Sequence, residues 1–270
     1  IIEAQSNNIN SVNSIDQRLV QQIGSLPAVD IAYPVVLAPA QATFLDGKTA
    51  AVTLVGSPVP EFIMGPIPNR IAEGDVSSLI DPNAVSAETF SAKTWNTELH
   101  LDKPIEINGK RAMITVLTKN AQAFGASLMY TSLENARLLG NADPSKVSLI
   151  VAKLNEGADK EQIAQDIGQL FPQLQAWDPK KLESSTVREI LITSNMGMSF
   201  GTLVLFAMIS GFFIIGLTLY SSALDRIKDY GTLKAIGAKK GYVNKLIVAQ
   251  AFLYAVIGYC IAMFLLFGFK

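Results

Sequence analysis

Residues Asp225–Lys245 read DRIKDYGTLKAIGAKKGYVNK. The stretch is basic and punctuated by glycine, and a long uncharged run lies on each side of it. No charged residue occurs between Glu189 and Asp225, or between Lys245 and Lys270. The centre of the first run, from Ser199, is SFGTLVLFAMISGFFIIGLTLYSS; the second is LIVAQAFLYAVIGYCIAMFLLFGF. As helices rising 1.5 Å per residue, both exceed the roughly 30 Å of a hydrocarbon core. A soluble helix of that length carries a polar stripe, and neither run has one. Two membrane spans joined by a short charged loop are expected.

Charge sets the orientation. The loop carries Arg226, Lys228, Lys234, Lys239, Lys240 and Lys245 against Asp225 and Asp229, a net +4, while the whole chain is −1. The positive-inside rule places the loop in the cytoplasm and residues 1–197 outside. The chain starts with Ile1 rather than Met and stops at Lys270, at the close of a span. A transmembrane helix before Ile1 and more protein after Lys270 are therefore expected. Cys260 is the only cysteine and falls inside a span, which leaves no intrachain disulfide.

The first two thirds read as an α+β domain. Ile1–Ala4 is a predicted strand, and Ser14-Ile-Asp-Gln17 has the form of a capping box opening a helix to about Ile23. Val29–Leu37 and Ala42–Leu45 are β-prone, and Asp46-Gly47 turns the chain back into a strand at Thr49–Val55. Gly56–Asp81 reads as an irregular surface loop, and Ala87–Trp95 as a short helix. Asn108-Gly109 predicts a type I′ hairpin between Pro104–Ile107 and Arg111–Thr118. Thr131-Ser-Leu-Glu134 is a second capping box, for a helix ending at Gly140. Val147–Leu154 is a predicted strand. Asp159 caps a helix with the stripe Ile163, Ile167 and Leu170. The expected organisation is an extracytoplasmic α+β core domain over 1–178, a stalk helix over 179–197, a span over 198–222, a cytoplasmic loop over 223–245 and a second span over 246–270.

Chemistry is scarce. His100 is the single histidine, no second His or Cys stands at metal-ligand spacing, and no carboxylate pair stands out. Ser57 sits in GSP rather than G-x-S-x-G, and no P-loop sequence occurs. No catalytic activity, cofactor or metal is expected. The basic loop is too small for a nucleic-acid site. Its residues Ile227, Tyr230, Leu233 and Ile236 recur every third position and form one drifting apolar stripe. Periodicity alone fits a partner-docking helix and a helix lying on anionic lipid equally well. The exposed Pro-rich loop, with Pro58, Pro60, Met64, Gly65 and Pro66, is a candidate protein contact. Gly197, Gly201, Gly211, Ala255, Gly258 and Ala262 would let helices approach closely in the membrane.

The run DRIKDYGTLKAIGAKKGYVNKLIVAQAF resembles the cytoplasmic segment of the MacB/FtsX-like ABC transporter permeases, in which E-Y/I-G-x-x-K/R-A-x-G-A is usual. It is most similar to the DevC-type wording EYGTLKAIGA and differs only at Asp229, which keeps the charge and shortens the reach. SIDQRLVQQIGSLPAVDIAYPV, EINGKRAMITVLT, MYTSLENARLL and LIVAKLNEGADKEQIAQDI resemble, in order, parts of the family's periplasmic core domain. The resemblance implies four transmembrane helices, of which this stretch would lack the first and fourth. It implies a bacterial inner-membrane permease, working as a homodimer with a separate ABC ATPase subunit. Asp229, Tyr230, Gly231, Lys234, Gly237 and Ala238 would be the ATPase-coupling contacts. It further implies a membrane-fusion adaptor and a TolC-like outer-membrane channel, in export or mechanotransmission; the Pro-rich loop, as an exposed irregular loop, is the candidate adaptor contact. A membrane-anchored sensor, or a lipoprotein-release or cell-division permease of the same superfamily, is the alternative.

Overall fold

The computed structural model describes residues 1–4, 6, 13–121, 127–188, 195–237 and 240–268. The chain forms two compact units, Ile1–Thr193 and Ser194–Lys270. The first mixes strands and helices, and the second is helical.

In chain order the first unit runs β1 (Ile2–Glu3), β2 (Ile15–Asp16), α1 (Arg18–Gly24), β3 (Val29–Phe44), β4 (Thr49–Ser57), β5 (Ile71–Gly74), β6 (Ala84–Glu88), α2 (Ser91–Trp95), β7 (Lys103–Ile107) and β8 (Lys110–Thr118). It continues with β9 (Leu128–Ser132), α3 (Leu133–Gly140), β10 (Lys146–Val147), β11 (Leu149–Leu154), α4 (Lys160–Leu170), β12 (Leu174–Gln175) and α5 (Pro179–Arg188).

β3 is the spine. Its first half pairs antiparallel with β11, its second half with β4, and its last three residues also with β7. The sequence had suggested two segments here, Val29–Leu37 and Ala42–Leu45, and the ladder with β4 runs across Ala38–Gln41 between them, so that Pro34 and Pro39 both lie within the joined strand. Each proline falls where β3 has one ladder partner, β11 at Pro34 and β4 at Pro39. A residue without an N–H is tolerated on the unpaired side of a strand.

The strands close a ring. β4 pairs parallel with β9, β6 pairs parallel with β8, β8 with β7, and β7 with β3. β9 and β6 are joined through side chains: the Tyr130 N–H donates to Ser86 Oγ at 2.8 Å, and Thr131 Oγ1 donates to the Ala84 carbonyl at 2.6 Å. All six strands feed one core. Val36 and Phe44 of β3, Leu54 of β4, Met129 of β9, Val85 of β6, Ile114 of β8 and Ile107 of β7 are buried there together with Trp95 and Leu133, Ala136 and Leu139 of α3. Gly56 must be glycine at the β4–α3 contact, since a Cβ there would lie 2.3 Å from that of Ala136.

The β7–β8 hairpin forms as expected, with Asn108 and Gly109 at φ 50° and 75°. The Asn108 side chain also accepts from the Gln41 N–H and donates to the Leu139 carbonyl, tying the turn to β3 and α3. Asp159 caps α4 as expected, accepting from the backbone N–H groups of Glu161 and Gln162.

Several expectations are corrected. Ser14 does not cap α1: Ile15–Asp16 pairs with β10, and Asp16 instead accepts from the Arg18 N–H at 2.8 Å. The second cap lies one residue later, with Ser132 accepting from the Asn135 N–H, because Thr131 is committed to Ala84. Ala87 and Glu88 belong to a buried strand, and the helix of that region is confined to Ser91–Trp95. Gly56–Asp81 is not irregular throughout; it holds β5 and short 3-10 turns at Pro68–Arg70 and Val76–Ile80, with Leu79 fully buried. Ser148 interrupts the predicted 147–154 strand and bonds to β3. Leu170 is 61% exposed, so the α4 stripe stops at Ile167.

The second unit consists of α6 (Asn195–Asp225), α7 (Ile227–Ala235) and α8 (Lys240–Gly268). Gly197–Asp225 and Val248–Gly268 are long and apolar enough to cross a membrane. Neither is buried within the protein. The aliphatic and aromatic side chains they expose suit lipid. Gln250 on α8 donates to Ser222 on α6 at 3.5 Å, the long end of hydrogen bonding, and to Tyr254 at 3.0 Å.

Candidate functional site

α7 is the quoted loop made solid. A single residue, Arg226, separates it from α6, and the Tyr230 N–H bonds back to the Arg226 carbonyl at 3.0 Å. Nine residues give about two and a half turns, roughly 13 Å. Asp229 lies in the first turn, where a carboxylate favours the positive end of the helix dipole. Thr232 Oγ1 donates to the Lys228 carbonyl at 3.0 Å. Gly237, at φ 98°, takes a backbone turn that other residues resist, just past the helix.

The helix therefore carries Asp229, Tyr230, Gly231 and Lys234, with Gly237 immediately after it; Ala238 lies outside the described residues. Of the expected stripe, Tyr230 and Leu233 are half-buried, Ile227 is 60% exposed and Ile236 is 77% exposed beyond the end of the helix. Gly231 is exposed, and a Cβ there would meet nothing within 4 Å. Among the described residues, nothing comes within 4 Å of a Cβ at Gly231, so they give no reason for a glycine that weakens the helix by about 1 kcal/mol.

The Pro-rich loop of the first unit divides by depth. Pro60 is exposed, Pro58, Met64 and Gly65 are half-buried, and Pro66 is buried. The loop is braced from inside. The Phe62 N–H bonds to the Pro58 carbonyl, the Gly65 N–H to the Phe62 carbonyl, and the Met64 N–H to Ser57 Oγ at 3.3 Å. A Cβ at Gly65 would lie 2.7 Å from that of Phe62, so the tight return needs glycine. Ile63 and Ile67 instead face outward, 39% and 53% exposed. Reading the prolines alone missed them. Phe62, Ile63 and Met64 are all apolar, and nothing in the run itself marks the middle residue as the exposed one.

His100 is exposed, its Nδ1 2.7 Å from the Leu101 carbonyl. Among the described residues, no group of His, Cys, Asp and Glu could hold a metal ion. Sequence reading passed over Glu88. Its carboxylate is buried and accepts from Thr118 Oγ1 and the Asn120 and Ala121 N–H groups, each at 2.9 Å. Tyr130 donates to the Ala121 carbonyl at 3.3 Å. Burial holds the Tyr130 hydroxyl above the usual phenol range; Arg70 opposes the shift and Glu88 adds to it.

Residues 187–270 match the family described as FtsX-like permease C-terminal. No curated protein matches the chain in sequence. Among solved structures, the chain is similar to the periplasmic region of MacB from Actinobacillus actinomycetemcomitans. Identity is 10% and the TM-score 0.45, over 58% of this chain and 72% of that one. It is also similar to the extracellular domain of the noncanonic ABC-type transporter YknZ from Gram-positive bacteria. Identity there is 13% and the TM-score 0.45, over 65% of this chain and 95% of that one.

Proposed function

We propose that the chain is the membrane permease subunit of an ABC-type export or mechanotransmission complex. In this reading α7 docks on a separate ATPase subunit on the cytoplasmic side, and residues 1–197 lie on the periplasmic side of the bacterial inner membrane. ATP-driven movement of α7 is carried by the spans to the outer unit, which works with a membrane-fusion adaptor and a TolC-like channel. Two copies of the chain act together, and DevC-type permeases are the nearest subgroup. ATP hydrolysis belongs to the partner, and no chemical step is assigned to this chain.

One observation carries the reading. A short basic helix lies between two apolar helices long enough to cross a membrane, within the segment that matches the FtsX-like permease family. The exposed Gly231 adds to it: a bare backbone on a helix surface is where another protein's side chain or backbone can come close. The exposed Ile63 and Ile67 make the Pro-rich loop the favoured adaptor contact.

The test is a mild-detergent pull-down of the full-length protein with and without residues 226–241, with co-purified proteins identified by mass. A P-loop ATPase retained by the intact protein and lost with the deletion supports the reading. If no ATPase is retained by either, α7 is a membrane-surface helix and a membrane-anchored sensor becomes the better account.

A further inference from the structure

Two adjacent and opposite charges, Asp225 and Arg226, close the first apolar span. With Leu217, Thr218, Ser221 and Ser222 of α6 they line a surface groove of about 700 Å³. Helical spacing puts the five α6 residues on one face, with Leu217 about 12 Å along the axis from Asp225. The groove thus runs from the apolar span to its charged end. Thr218 Oγ1 is spent on the Ile214 carbonyl at 2.8 Å, and Ser222 Oγ accepts from Gln250 at 3.5 Å. Among the described residues every ion pair lies in the first unit, so neither the Asp225 carboxylate nor the Arg226 guanidinium has a counter-ion there.

The groove's chemistry narrows what can fill it. An occupant that follows it must be apolar at one end and charged at the other, as a membrane lipid is. It must also carry both signs. A purely anionic headgroup suits Arg226 but meets Asp225 as a like charge. A phosphoethanolamine headgroup offers its phosphate to the guanidinium and the N–H groups of its ammonium to the carboxylate, both as charge-assisted hydrogen bonds. A phosphocholine headgroup has the same charges and no N–H. α8 provides a contrast: Lys245, Val248, Ala249 and Phe252 line a second groove, apolar apart from one cation and without a carboxylate.

We propose that the α6 groove is a seat for phosphatidylethanolamine, with the headgroup on Asp225 and Arg226, the glycerol esters beside Ser221 and an acyl chain along Leu217. The seat rests on the membrane reading of α6 and α8, and on neither the ATPase nor the adaptor. Tyr230 does not line the groove, so lipid on α6 and protein on α7 do not compete.

Full-length protein reconstituted in vesicles of phosphatidylethanolamine, phosphatidylglycerol and phosphatidylcholine in equal parts, then extracted in mild detergent, tests the seat by the mass of retained lipid. Phosphatidylethanolamine is expected to be retained several-fold over both others. Asp225 and Arg226 are exposed, so their substitution leaves the fold intact. Asp225→Asn is expected to bring phosphatidylethanolamine down to the level of phosphatidylcholine, and Arg226→Gln to lower its retention several-fold. Lys245→Gln, in the other groove, is expected to leave the preference unchanged. Equal retention of the three lipids by the unaltered protein, or a preference that survives Asp225→Asn, overturns the seat. So does a photo-crosslinking residue at Ser221 that captures only protein, which would show another helix filling the groove. Failure to retain an ATPase in the pull-down leaves these expectations standing, and loss of the lipid preference leaves the pull-down untouched, so the two failures are distinguishable.

Discussion

Tyr130 and Glu88 tie distant segments of the first unit together. Glu88 gathers three donors at the end of β8, and Tyr130 reaches the same segment through Ala121. The phenol's pKa is raised by burial. An upward shift means that its contribution to stability is whole below the unfolded tyrosine's pKa, about 10. It is lost as pH rises through the higher folded value. The outer unit is therefore expected to loosen above about pH 10. Tyr130→Phe should remove part of that alkaline loss, read as thermal midpoint against pH; an identical alkaline profile in the variant would refute the assignment. None of this was legible in the sequence. Glu88 stands in AVSAETF, which from Ala87 onward read as the start of a short helix. Its partners come from about thirty residues away, and no local pattern announces them.

At the scale of the element, legibility followed the range of the forces involved. The β7–β8 turn was readable because Asn108 and Gly109 carry their own backbone preference. Asp159 was readable for the same reason, as a cap that bonds two and three residues ahead. The caps at Ser14 and Thr131 were misplaced because the residues after Ser14, Ile15–Asp16, pair with β10, and the Thr131 hydroxyl bonds to Ala84. β3 was read as two segments because local β-propensity lapses over Ala38–Gln41, whereas the ladder with β4 runs through that gap. α7 was legible as a helix, but its stripe ended one residue short at Ala235. Gly231→Trp tests this element. Tryptophan forms helix better than glycine, and the chain leaves open space at the site. The variant should keep α7 and membrane insertion intact, yet lower ATP-driven function by tenfold or more; unimpaired function would show that nothing docks there.

The whole molecule is two units built on different rules. The spans were legible at once, since hydropathy over twenty residues needs no knowledge of contacts, and the structure leaves both unburied. The first unit was legible as α+β but not as a ring of strands, because β6 and β9 are joined by side-chain bonds of Ser86 and Thr131 rather than by a backbone ladder. The pattern of the candidate site, DYGTLKAIGA, was plain in the sequence, whereas the exposure of Gly231 and the outward turn of Ile63 and Ile67 needed the fold. The central claim is that α7 meets a protein rather than lipid. Replacing Tyr230 with a photo-crosslinking phenylalanine analogue in full-length protein, and irradiating native membranes, asks this directly. A crosslink to a P-loop ATPase is expected; crosslinks to phospholipid alone would contradict the claim.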